Sequence, residues 1–220
     1  IRRGCEESLR RLRTDHVDLY QMHHVDRSAP WEEIWQAMEQ LVREGKAIYT
    51  GSSNFAAWHI VKANEAARRR NLMGIVSEQS RYNLDCRTVE LEVVPACLDY
   101  GVGIIPYNPL GGGLLTGALE RPREGRRADE GFRKEVDRKR GQLERYESFC
   151  RDAGWKPAHV ALAWLLRQPV VAAPIVGPRT SAQLDELLPV LDLHLDGDAL
   201  ALLDEIFPGP GGTAPEAYAW

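Results

Sequence analysis

A short apolar segment followed by an amphipathic one recurs along this chain, and that recurrence is its strongest constraint on fold. The apolar segments begin near residues 17, 46, 74 and 102. The interval of about 28 residues is the length of one strand–helix unit in a parallel sheet. Strands are predicted over His16–His23, Lys46–Gly51, Gly74–Gln79, Gly101–Tyr107 and Val170–Gly177. Helices are predicted over Arg3–Arg13, Trp31–Glu44, Ala56–Arg70, Val89–Tyr100 and Ser181–Leu191, with one or two more in Gln142–Gln168. Cys5, Leu9 and Leu12 repeat at helical spacing in the first helix. In the second, Ile34, Trp35, Met38, Leu41 and Val42 form one apolar stripe. Asn54 is read as the N-cap of the third.

Strands with near-continuous apolar content are buried on both faces. A doubly wound open sheet and a (β/α)8 barrel both satisfy that. The open dinucleotide-binding sheet calls for G-x-G-x-x-G after its first strand, and the chain has none. The barrel accounts for a further regularity, because every strand ends in polar residues: His23-His24, Ser53-Asn54, Gln79, Tyr107-Asn108 and Gly177-Pro178-Arg179. Barrels of this kind build their active sites from strand C-terminal ends and the loops that follow. The predicted class is therefore α/β, a (β/α)8 TIM barrel. The 220 residues read as a single domain supplying about the last five units, with three more upstream. The opening Ile-Arg-Arg-Gly-Cys, which starts inside a helical pattern without Met, fits that expectation and is no signal peptide.

With 44% hydrophobic residues the chain can bury a sizeable core, and its net charge of −4 excludes a broadly basic nucleic-acid or membrane-surface protein. No apolar run approaches the ~20 residues that span a bilayer. The four cysteines, Cys5, Cys86, Cys97 and Cys150, form no C-x-x-C pair; they read as reduced thiols of a cytoplasmic protein. Arg68-Arg69-Arg70 and the run Arg133–Arg140 read as solvated helix faces. The polar stretch from Ala118 to Glu135 reads as a mobile flap or a surface insertion. The tail Gly209–Trp220 is not expected to be helical; its Tyr218 and Trp220 would cover a pocket or mediate oligomer contacts.

Five segments stand in register with these strand ends. They are D-L-Y-Q-M-H-H (Asp18–His24), G-S-S-N-F (Gly51–Phe55), S-E-Q-S-R-Y-N (Ser77–Asn83), P-Y-N-P-L-G-G-G-L-L-T-G (Pro106–Gly117) and P-I-V-G-P-R-T-S-A-Q-L (Pro174–Leu184). Together they resemble the aldo-keto reductases, over nearly the whole chain. The resemblance implies reduction of a small-molecule carbonyl by hydride from NADPH. It places His23 as the catalytic histidine, whose imidazole polarises the substrate oxygen as negative charge develops there. His24 takes a position that faces substrate in relatives. Ser53, Asn54 and Gln79 match the clamp on the nicotinamide carboxamide, and Tyr107 the aromatic that stacks under the ring. Asn108, Pro109, Leu110, Gly111, Gly112 and Gly113 match the segment that approaches the pyrophosphate. By itself the glycine run would be only a flexible turn. Gly177 and Arg179 resemble the segment holding the 2′-phosphate, and Gln183 fits the adenine end. Leu187 stands where relatives carry Asn, which removes one adenine hydrogen bond.

The family's tetrad also includes Asp, Tyr and Lys, which match no residue here; Tyr20, Tyr49 and Tyr82 lie outside the matching motif. A metal site from His23, His24 and Asp26 is disfavoured, because adjacent strand residues point to opposite faces. The wording around Tyr20–Glu39 and the ending resemble actinomycete members, some of which reduce keto groups of nucleotide-activated deoxysugars. A non-catalytic, NADPH-holding regulatory subunit is the main alternative. A sugar-phosphate isomerase or aldolase is disfavoured, since no lysine ends a strand to form a Schiff base.

Overall fold

Val17–Met22 (β1), Ala47–Ser53 (β2), Ile75–Gln79 (β3) and Gly103–Ile104 (β4) form one parallel sheet in the order β1-β2-β3-β4. Parallel neighbours need a crossover between each pair, supplied here by helices Trp31–Arg43 (α2), Ala57–Arg68 (α3) and Val93–Tyr100 (α4). Helix Arg2–Leu12 (α1) precedes β1. The computed structural model describes residues 1–120 and 129–218. Their contacts divide the chain into two units, Ile1–Ser80 with Leu91–Ile105, and Arg81–Glu90 with Pro106–Trp220.

In the first unit α2 buries Trp31, Ile34, Trp35, Met38 and Leu41, while α3 buries Ile60, Ala63 and Ala67. The Trp35 indole N–H donates to the Ala63 carbonyl at 2.8 Å, so its polar edge is satisfied inside the core. The predicted stripes narrow at their ends, with Leu12 and Val42 both exposed. Gly51 is required by close approach: a Cβ there would lie 2.3 Å from Ser77 Oγ, beside the register shift between β2 and β3. Gly74 turns into β3 at φ +87°, and a Cβ would meet Asn64 Oδ1 at 2.2 Å, the oxygen that accepts the Ile75 N–H.

Asn54 is not the N-cap of α3. Its φ of 57° is left-handed, and Ala56 caps the helix in an extended conformation. The expected fourth strand is shorter than predicted because Pro106 has no N–H to continue the ladder. Tyr107 retains only an isolated parallel bridge to Arg81.

The second unit is mostly helical, with Glu130–Arg138 (α5), Arg140–Asp152 (α6), Pro157–Leu166 (α7), Ser181–Asp185 (α8) and Gly197–Ile206 (α9). The predicted flap is helical at its far end. Asp129 caps α5 by accepting from the Gly131 and Phe132 amides, and residues 121–128 lie outside the described residues. The predicted strand Val170–Gly177 is also absent. That segment donates two main-chain bonds, Val171 N–H to the Gln168 carbonyl at 2.9 Å and Ile175 N–H to the Pro106 carbonyl at 2.8 Å, and Pro174 within it cannot donate at all. The helix expected over Ser181–Leu191 ends at Asp185 and resumes as a 3-10 turn over Leu188–Asp192, where Pro189 removes a donor. Sequence reading missed α9, although Asp196 before Ala199, Leu203 and Ile206 is an N-cap followed by a helical stripe.

The core of this unit packs all of Val160–Leu165 from α7 against Tyr82, Tyr146 and Phe207. Arg87 sits over the Trp164 ring at 4.9 Å, pairs with Glu90 and Asp204, and donates to the Phe207 carbonyl at 2.9 Å. Tyr82 donates its hydroxyl to the same Glu90 at 2.8 Å. All four cysteines are free thiols. Among the described residues no helix is long and apolar enough to cross a membrane. Arg87→Met is expected to cost about 3 kcal/mol in urea unfolding, because Glu90 would stay largely buried without its cation. A loss under about 0.5 kcal/mol would show that this cluster does not hold the unit.

Candidate active site

Parallel pairing brings the C-terminal ends of β1, β2 and β3 to one edge of the sheet. Met22 pairs with Ser52 and Ser53 with Gln79, so His23, His24, Ser53, Asn54 and Gln79 all stand along that edge. Ser53 Oγ donates to the Gln79 carbonyl at 2.9 Å, and Asn54 Nδ2 donates to Ser53 Oγ at 2.9 Å. The left-handed Asn54 backbone turns its own N–H back to the Gln79 carbonyl at 3.0 Å. These three residues form one polar cluster, with the Asn54 side exposed and Ser53 buried.

Gln21 is a member that sequence reading missed. Its Oε1 accepts from Gln79 Nε2 at 3.2 Å, and its Nε2 donates to the Ser52 carbonyl and to Ser77 Oγ. The signal was a lone amide in the apolar strand, two residues before His23. Gln21 fixes which end of the Gln79 amide faces along the strand and which faces the edge.

His23 and His24 follow β1 and are exposed, with ring centroids 4.2 Å apart. The opposite-face argument against their acting together therefore does not hold, because the pair lies in a bend beyond the strand, where alternation has ended. Both line an open cleft of about 670 Å³ with Tyr20, Gln21 and residues of α2. Among the described residues no three metal-ligating side chains cluster.

Beneath the edge lies Glu78, with no solvent exposure. Its carboxylate accepts from Ser52 Oγ at 2.5 Å, Ser80 Oγ at 2.8 Å and the Phe55 N–H at 3.1 Å. It thereby ties the ends of β2 and β3 to the Ser53–Phe55 turn. Burial pushes its carboxyl above the usual range, and these hydrogen bonds hold it back only in part.

In the second unit, Tyr107 is half-buried and opens the glycine segment. Asn108, at φ 56°, accepts the Gly112 N–H on its side-chain oxygen at 2.6 Å and the Gly111 N–H on its carbonyl at 3.0 Å. Asn83 Nδ2 donates to that same carbonyl at 2.8 Å. Gly113 N–H is taken by the Leu110 carbonyl. The run is thus an ordered, hydrogen-bonded turn with positive φ at Gly111, Gly112 and Gly113 rather than a flexible one, and its glycine amides are used internally. What the glycines leave is room: a Cβ on Gly112 would meet nothing nearer than Asn108 Oδ1 at 3.9 Å. Pro109 is buried and Leu110 packs on the unit's core, so only their backbone faces outward.

Gly177 and Arg179 are exposed, and open space surrounds Gly177. The Arg179 guanidinium has no ion pair or hydrogen bond among the described residues. Its amide donates to Gln183 Oε1 at 2.7 Å, which orients the Gln183 side chain and leaves its NH₂ group to donate to a ligand. Thr180 caps α8 by accepting the Gln183 N–H. Leu187 packs against the core.

A raised carboxyl means that the folded state holds its proton above the pH at which the unfolded state releases it. Stability therefore falls as pH rises from about 4.5 toward the folded value. Glu78→Gln is expected to flatten that decline in unfolding free energy measured from pH 4.5 to 7. An unchanged slope would show that Glu78 is not the responsible group.

The aldo/keto reductase family model matches residues 1–207. An uncharacterised oxidoreductase of Bacillus subtilis, YrpG, is 51% identical over 224 residues, covering 100% of this chain and 67% of the relative. The versiconal hemiacetal acetate reductase of Aspergillus parasiticus is 34% identical over 93% of this chain and 61% of its own length. The aryl-alcohol dehydrogenase [NADP(+)] of Phanerodontia chrysosporium is 32% identical over 93% of this chain and 55% of its own. The chain thus spans 55–67% of the length of these relatives. It belongs to the aldo/keto reductase family.

Proposed function

We propose that this chain is part of an NADPH-dependent carbonyl reductase acting on an aldehyde or ketone. The observation that carries the reading is the single polar edge formed by His23, Ser53, Asn54 and Gln79 at the ends of three parallel strands. NADPH, when bound, supplies the hydride. The residues present suit it: Ser53, Asn54 and Gln79 offer paired donors and acceptors to a carboxamide, and Arg179 offers an uncommitted guanidinium to a 2′-phosphate. Tyr107 supplies a ring for stacking. The ordered glycine turn gives a phosphate close approach without side-chain obstruction.

His23 donates an N–H to the substrate oxygen and holds the carbonyl where negative charge develops. His24 contacts the substrate beside it. The Tyr proton donor, with its Asp and Lys, is assigned to the share of the relatives' length that this chain does not span. On that reading the chain supplies later units of one (β/α)8 barrel. Tyr82 is no substitute donor, since burial and its bond to Glu90 push its hydroxyl well up. Keto groups of nucleotide-activated deoxysugars fall within the proposed substrate class. A cytoplasmic location fits the uniformly free thiols, and self-association is compatible with the reading.

Two expected outcomes test this in the protein as it occurs. His23→Ala should lower kcat for a simple aldehyde by about 10²- to 10³-fold while shifting the NADPH Kd less than about threefold. Arg179→Ala should weaken NADPH by about tenfold or more and narrow its advantage over NADH. Tight NADPH binding without any aldehyde turnover would replace the enzyme with a regulatory subunit. Equal affinity for the two cofactors in the unaltered protein would remove the 2′-phosphate role of Arg179.

A further inference from the structure

Beyond His24 the loop Val25–Pro30 and the start of α3 enclose a cleft of about 420 Å³, lined by Arg27, Trp58, His59 and Lys62 among others. Three features of its wall point the same way. First, His59 is only 2% exposed, and its Nδ1 accepts the Ala56 N–H at 3.3 Å. With Nδ1 used as an acceptor, the neutral ring carries its proton on Nε2. That Nε2–H is buried and has no partner among the described residues, so it is a donor awaiting an acceptor. Burial, with Arg27 and Lys62 nearby, keeps the ring neutral.

Second, Arg27 and Lys62 are exposed cations whose side chains form no ion pair or hydrogen bond among the described residues. Third, α3 begins here with no capping side-chain oxygen and no acid in its first turn to act as a counter-charge, and the buried Glu78 carboxyl is bonded to the Phe55 N–H ahead of the cap. The acids on the cleft do not supply one. Asp26 Oδ1 is taken by the Ser28 N–H and hydroxyl, at 2.9 and 2.6 Å, and Glu32 sits in the first turn of α2, whose own N-terminus favours it. Trp58, 55% exposed and tilted over the His59 ring at 3.5 Å, gives the lip a flat apolar surface.

A second opening, lined by His24, Val25, Asp26, Arg27 and Asn54, shares three of those residues with the cleft. The two openings therefore border the same loop, Val25–Arg27, between the proposed reaction edge and the cationic wall.

We infer that this cleft binds an oxyanion, a carboxylate or phosphate, carried by the carbonyl substrate, with Arg27, Lys62 and the His59 Nε2–H as its donors. The oxyanion site stands on the cleft's own residues; its assignment to the substrate rests on the reductase reading above. The shared loop sets the cationic wall beside the reaction edge, which makes the enzyme selective for carbonyl compounds that carry an anionic group, and Trp58 offers a face to a planar spacer.

Inorganic phosphate titrated into the protein, with the histidine ring N–H signals followed by NMR, tests the site without any turnover. The His59 Nε2–H resonance is expected to shift saturably, and the shift to vanish in the double variant Arg27→Ala, Lys62→Ala, whose changes are both on the surface. The ratio of kcat/KM for 4-carboxybenzaldehyde over benzaldehyde tests the substrate assignment. It should exceed about tenfold, and should fall by about that factor in the double variant. An unmoved His59 signal overturns the oxyanion site. Phosphate binding with a ratio near one overturns its use by the substrate and leaves a site for a free anion. Phosphate binding with neither aldehyde reduced overturns the reductase reading, and the substrate assignment with it, while the oxyanion site stands.

Discussion

A carboxylate with no access to water persists only where donors surround it, and the first unit is arranged around that requirement at Glu78. Two hydroxyls, from Ser52 and Ser80, and the Phe55 amide converge on it from three chain segments. Its anchoring of Phe55 fixes the turn that sets Asn54 left-handed, and the turn in turn delivers the Asn54 amide to Gln79. The polar groups that would hold a nicotinamide are therefore fixed from below by a buried carboxyl group. Such a network is costly to leave half made.

The second unit solves a comparable problem with a cation. Arg87 satisfies Glu90, Asp204 and the Phe207 carbonyl while covering Trp164. It joins the short segment after β3 to the end of α9, residues far apart in the chain. The glycine turn relies on local bonds instead: Asn108 takes two amides through its side chain and carbonyl, and Asn83 braces it from the neighbouring segment. An ordered turn that uses its own amides meets a ligand through available space and backbone shape more than through free donors.

Much of this was legible in the sequence because periodicity reports burial. The recurrence of strands located β1 to β3 within about a residue or two, and the stripe Ile34, Trp35, Met38, Leu41 is the buried face of α2. The strand-end residues His23, Ser53, Asn54 and Gln79 were found because parallel strands necessarily end on one edge. The failures share a cause as well. Val170–Gly177 has strand composition, but Pro174 interrupts its donors and Ile175 alone bonds to a neighbouring segment. Asn54 has a cap's chemistry, but its backbone is committed to the turn instead. Gln21 shows in the sequence only as a lone amide and Glu78 carries no local pattern, because most of their partners lie on other strands or turns.

What the sequence determined by itself is the alternation of strand and helix, the residue types at each strand end, and through them the family. These are properties of neighbours along the chain, set by side-chain periodicity and backbone propensity. Only the tertiary structure decided that Glu78 is a buried anchor, that Gln21 orients Gln79, that the Gly111–Gly113 amides are already used, and that the His59 Nε2–H has no acceptor. Each of those depends on which groups meet across strands and loops. A hydrogen bond made, or left unmade, in a buried place is a fact of three-dimensional packing that no spacing of residues encodes.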